Sequence, residues 1–69
     1  MKRDAVSSSN IAEVGYDATS RTLEVLFKTG AVYQYFDVPE QIYDELMRSS
    51  SVGGFLNSSV KGQYRYARL

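Results

Sequence analysis

The run TLEVLFKTGAVYQYF, residues 22–36, constrains this fold more than any other stretch of the chain. Leu23, Val25 and Phe27 alternate with Thr22, Glu24 and Leu26, the two-residue period of a half-buried strand. Lys28-Thr29-Gly30 supplies a turn, and Ala31 to Phe36 reads as the return strand of a hairpin. The turn decides where Tyr33 and Tyr35 point. A two-residue turn at Thr29-Gly30 needs positive φ at both positions, which the β-branched Thr29 resists. A three-residue loop needs positive φ only at Gly30 and is therefore preferred. It pairs Phe27 with Ala31, Val25 with Tyr33 and Leu23 with Tyr35. Paired residues share a face, so both tyrosines join the most apolar face of the chain as core residues. The shorter turn would instead leave them on the outer face, as a platform on which bases could stack.

Upstream, residues 11–17 read as a strand with Ala12, Val14 and Tyr16 on one face and Ile11, Glu13 and Gly15 on the other. The segment DATSR that follows carries turn chemistry, an aspartate and hydroxyls able to bond their own backbone. Residues 5–9 form either a short further strand or an extended arm. Downstream, Pro39 suits the first turn of a helix. Ile42, Tyr43, Leu46 and Met47 then recur at helical spacing, predicting a helix over residues 39–48. Serines 49–51 end it and can cap the next, in which Val52, Phe55, Leu56, Ser59 and Val60 form an apolar stripe closed by Gly62. The tail, residues 63–69, is extended or folded back. Strands followed by helices predict an α+β domain spanning residues 1–69. It has a small antiparallel sheet of about three strands (β-β-β) and two helices packed on one face.

The 69 residues include no cysteine and no histidine. Disulfides and thiolate zinc sites are thereby excluded, and the commonest general base and metal ligand are absent. No spacing of serines with lysines or carboxylates suggests an activated nucleophile, so neither catalytic residues, a metal site nor a cofactor is expected. The N-terminal segment lacks an apolar h-region, and no apolar run approaches the ~20 residues that span a membrane. A cytoplasmic domain without a membrane partner is the expectation. The formal net charge is zero but unevenly placed. All eight acids lie between residues 4 and 45, whereas Arg48, Lys61, Arg65 and Arg68 follow with no acid among them. The two regions either neutralise each other or leave the basic end for an anionic partner.

Three segments are candidates for function. Lys61, Tyr64, Arg65, Tyr66 and Arg68 interleave aromatic rings with cations, the combination that single-stranded nucleic acid needs for its bases and phosphates. The alternative is a terminal strand whose tyrosines pack while its arginines stay solvated. Ser51, Gly53 and Gly54 open the second helix, where free N–H groups could take an anion. Close packing of the helix start would explain the same glycines. An exposed sheet edge, or the face carrying Leu26, Val32 and Phe36, would instead suit another protein or a second copy of the chain.

In their order, SSSNIAEVGYD, TLEVLFKTGAVYQYFDVP and SVGGFLNSSVKGQYRYARL resemble the KTSC domain, a small family named after the C-terminus of some lysyl-tRNA synthetases. The Tyr-x-Tyr hallmark is met by Tyr33 and Tyr35. The hydroxyl–glycine helix start is met by Ser51, Gly53, Phe55 and Asn57, and the closing aromatic pair by Tyr64 and Tyr66. The resemblance implies a stand-alone bacterial domain without an assigned catalytic activity. By the family's company with a tRNA-charging enzyme, it suggests RNA as the partner. Shared family does not by itself confer function, and the zero net charge departs from the basic footprint usual in RNA binders.

Overall fold

The hairpin forms as its residues dictate. In the computed structural model, which describes residues 1–69, Leu23 pairs with Tyr35 and Val25 with Tyr33. The Phe27 N–H donates to the Ala31 carbonyl, the Gly30 N–H donates back to the Phe27 carbonyl, and Gly30 adopts φ +96°. The three-residue loop thus sets the register, and both tyrosines lie on the helix side of the sheet.

That sheet has five strands, where about three were expected. In chain order they are β1 (Arg3–Ala5), β2 (Ile11–Asp17), β3 (Thr22–Phe27), β4 (Val32–Tyr35) and β5 (Tyr66–Arg68), each antiparallel to the next. Helices α1 (Glu40–Arg48) and α2 (Val52–Ser59) fall between β4 and β5. The two added strands are the outer ones, with three residues apiece. Alternation over three residues carries almost no periodic signal; these segments become strands because the free edges of β2 and β4 offer unpaired backbone groups. The extra N-terminal strand lies at residues 3–5, and the tail folds back as β5.

A bulge alters β2. Ile11 stands opposite Phe27 and Glu13 opposite Leu26, so Ala12 is an extra residue. A bulge shifts side-chain parity by one. Ile11, expected on the face opposite Val14, therefore joins it in the core, and both are fully buried.

The core is one layer between sheet and helices. Val14, Leu23, Val25 and Tyr35 meet Leu46 of α1, Val52 and Leu56 of α2, and Val38 and Val60 beside them. Burying one such aliphatic side chain stabilises by about 1.5–3 kcal/mol. The Ser51 Oγ caps α2 by accepting the Gly54 N–H at 3.1 Å. Between β2 and β3, the Asp17 carboxylate accepts from the Thr19 N–H and the Ser20 hydroxyl. Neither helix is long and apolar enough to cross a membrane.

The opposite face is open but not bare. Glu24, at its centre, is only 8% exposed. Arg3 reaches it across Gly15, with Nη1 3.2 Å from one Glu24 oxygen, while Gln34 donates to the other at 2.8 Å. A Cβ at Gly15 would stand 2.5 Å from the Lys2 carbonyl oxygen and 2.8 Å from the Arg3 Cγ, so the glycine lets both the β1 backbone and the arginine approach.

Because Gly30 sits in open space at φ +96°, Gly30→Ala is expected to cost about 1–2 kcal/mol through backbone strain alone. Urea unfolding measures it. An effect below about 0.5 kcal/mol, the usual range for an unremarkable surface substitution, would contradict this account of the turn.

Candidate functional site

Pairing across β3, β4 and β5 builds an aromatic row on the helix side. Tyr33 stands opposite Arg68, and Tyr35 opposite Tyr66. Both tyrosine–partner pairs share the face of Val25 and Leu23. The helices cover only part of this face. Tyr35 is 2% exposed, Tyr33 is half-buried and Tyr66 is 62% exposed. The two tyrosines thus differ: Tyr35 completes the core and reaches the edge of an open pocket, and Tyr33 walls that pocket.

The pocket, of about 580 Å³, lies between the β3–β4 turn, the aromatic row and the exit from α2. Phe27 meets Tyr33 edge-on at 5.6 Å, Tyr33 stacks on Tyr35 at 6.4 Å, and Tyr66 leans on both at 5.8 and 6.0 Å. Such contacts add about 0.5–1.5 kcal/mol each beyond burial. Two cations join them. The chain leaves α2 through Val60, the Lys61 N–H donates to the Leu56 carbonyl, and Gly62 turns at φ +80°. This exit sets the Lys61 ammonium 5.4 Å from the centre of the Phe27 ring. Arg68, carried by β5, holds its guanidinium 5.8 Å from the Tyr33 ring.

No carboxylate side chain lines this pocket, and neither Lys61 nor Arg68 enters an ion pair. Two other cations are paired, Arg3 with Glu13 and Glu24 and Arg65 with Asp37, while Lys2 and Arg48 enter no ion pair either. Part of the charge asymmetry in the sequence is therefore neutralised in the fold. Of the cations left without a carboxylate partner, Lys61 and Arg68 meet at one aromatic hollow.

The five C-terminal residues singled out from the sequence divide. Lys61, Tyr66 and Arg68 line the pocket. Tyr64 packs against the core instead. Arg65 lies outside the pocket, 2.7 Å from Asp37 and 5.7 Å from the Phe36 ring. At the start of α2, Ser51 is committed to the Gly54 N–H, and a Cβ on Gly53 would meet the Asn10 side chain at 2.8 Å. Close approach accounts for Gly53 without a bound anion. Phe27, Asn10 and Thr29 are among the remaining lining residues, none of them singled out as a site from the sequence. Phe27 was within reach of the sequence, since the favoured register puts it beside Tyr33. The other two sit in loops, where pairing rules say nothing.

The KTSC domain family model matches residues 7–64. The chain belongs to the KTSC domain family. A crystal structure of a KTSC domain protein from Yersinia pestis superposes with a TM-score of 0.96 at 37% identity, covering 99% of this chain and 96% of that one. A protein of Stutzerimonas stutzeri is 41% identical over 70 residues, 100% of this chain and 99% of its own length. A lysine–tRNA ligase of Trichormus variabilis is 38% identical over 61 residues, 88% of this chain but 11% of that enzyme. In this KTSC domain, the family-model match stops short of β5, which supplies Tyr66 and Arg68. The Yersinia structure covers that strand as well.

Burial raises the pKa of Tyr35 above 10.0, helped by the neighbouring Tyr33 and Tyr66 hydroxyls. Burial also raises Tyr16 and Tyr43. The folded state holds these protons more tightly than the unfolded chain, so their contribution to stability is complete below the unfolded value of about 10. It is lost as pH rises through the folded values. Stability measured by urea is expected to fall across that alkaline window, and to fall less in Tyr35→Phe. Equal pH profiles for the two proteins would contradict the burial of Tyr35.

Proposed function

We propose that this KTSC domain is a non-enzymatic module that binds single-stranded nucleic acid, RNA foremost, through the pocket formed by Phe27, Tyr33, Tyr66, Lys61 and Arg68. One observation carries the reading: two unpaired cations stand over aromatic rings in a hollow that no carboxylate side chain lines. Bases stack on rings, phosphates meet cations, and the absence of acid removes the repulsion a polyanion would otherwise feel. A zero net charge is compatible with this, because the acids are placed elsewhere. The similarity to part of a lysine–tRNA ligase lends weight to RNA over DNA. On this reading the domain works in the cytoplasm, with which its lack of cysteine is compatible.

Self-association through the outer sheet face has less support. Leu26 and Val32 pair there, but the Arg3–Glu24–Gln34 network occupies the centre and the Arg65 guanidinium lies over Phe36. An apolar interface would have to bury those charges.

Fluorescence anisotropy with a short labelled single-stranded RNA tests the reading. Two phosphate contacts give a salt slope of about −1.4, so an approximately fourfold rise in salt should weaken binding about sevenfold. Lys61→Ala and Arg68→Ala should each reduce the slope by about 0.7. Tyr66→Ala, at an exposed position, should cost about 1–3 kcal/mol of affinity. No binding at low salt, or slopes unchanged by the charge removals, would overturn the proposal.

A further inference from the structure

The size of the pocket and its floor narrow what it can hold. A base inserted between two rings needs them about 7 Å apart, twice the optimal carbon–carbon separation of ~3.5 Å. The neighbouring rings, Phe27 with Tyr33 and Tyr33, Tyr35 and Tyr66 with one another, stand 5.6 to 6.4 Å apart and several are mutually tilted. No slot between these neighbouring rings admits a base, so a strand does not thread through the contacting rings with bases interleaved. What remains is the space above the rings, and its volume of about 580 Å³ is that of a small-molecule site.

The floor carries a second observation. Tyr35 is 2% exposed and lines the pocket, and its hydroxyl hydrogen-bonds to no protein group. Yet no buried polar side-chain atom is unsatisfied, so this hydroxyl is not sealed off, and it belongs to a residue that lines the pocket. The contrast is Tyr16, at the far end of the same face, whose hydroxyl donates to the Val38 carbonyl. Buried polar groups are bonded as a rule, and a phenol at the bottom of a pocket is a donor and acceptor for its occupant.

Building on the nucleic-acid reading above, we propose that the pocket takes one unpaired nucleotide. Its base lies against the exposed rings, its phosphate is held by Lys61 and Arg68, and the Tyr35 hydroxyl hydrogen-bonds the polar edge of the base. All the recognised groups are present in a nucleoside monophosphate, so length of strand adds little. Tyr35 is then a specificity residue within a site whose charge sits at the rim.

Isothermal titration of the full chain tests this with four probes: nucleoside 5′-monophosphates, the matching nucleosides, inorganic phosphate and a tetranucleotide of RNA. The best monophosphate should bind within about tenfold of the tetranucleotide, and its nucleoside and inorganic phosphate each at least about tenfold more weakly than that monophosphate. Tyr35→Phe, which removes no protein hydrogen bond, should fold and lose about five- to tenfold for that monophosphate, with phosphate binding unchanged. A tetranucleotide that binds while every monophosphate fails overturns the single-nucleotide inference and leaves the nucleic-acid reading standing. Failure of all four probes overturns both. Inorganic phosphate binding as tightly as the monophosphates would reduce the pocket to an anion site, and unchanged affinity in Tyr35→Phe would remove the hydroxyl from recognition.

Discussion

A single backbone conformation, Gly30 at φ +96°, sets the side of the sheet on which every residue of β4 falls. Strand side chains alternate with a period of two, so a loop one residue shorter would exchange the faces of Tyr33 and Tyr35 with those of Val32, Gln34 and Phe36. In the register observed, Tyr35 sits beneath the helices and closes the core beside Leu23, while Tyr33 stands at the uncovered end. β5 depends on the same choice. It pairs with β4, so the turn also brings Tyr66 and Arg68 to the helix side and leaves Ala67 opposite Gln34 on the outer one.

The site follows from what the helices fail to cover. A chain of 69 residues supports only two short helices, and they shield the middle of the sheet better than its β4–β5 edge. Apolar rings left at that edge gather on one another instead, and the exit from α2 and strand β5 bring in one cation each. The polar device on the opposite face works in reverse. There Arg3 crosses Gly15 to neutralise Glu24, tying the first strand to the sheet and leaving that face without free charge at its centre.

Much of this was readable from residues. Alternation and the steric objection to positive φ at Thr29 gave the hairpin and its register, and helical spacing with Ser51 gave α2 and its cap. Three-residue strands carry no period, so β1 and β5 come from the docking of free edges, which only the folded sheet reveals. Ile11 changes face because of one extra residue at Ala12, for which the sequence has no marker. Tyr33 and Tyr35 share a pattern but not an environment, because coverage by the helices is a tertiary fact. For the same reason the basic tail could be recognised as a group, while the diversion of Arg65 to Asp37 and Phe36 could not.

On the proposed reading, binding is confined to the β4–β5 end of the helix-side face. Titrating isotopically labelled protein with a short single-stranded RNA and following its amide and aromatic NMR signals tests this most directly. Salt-sensitive shifts should cluster at Phe27, Tyr33, Tyr35, Lys61, Tyr66 and Arg68, with Glu24, Leu26 and Gln34 on the outer face unmoved. Shifts centred on the outer face, or none at saturating RNA, would contradict it.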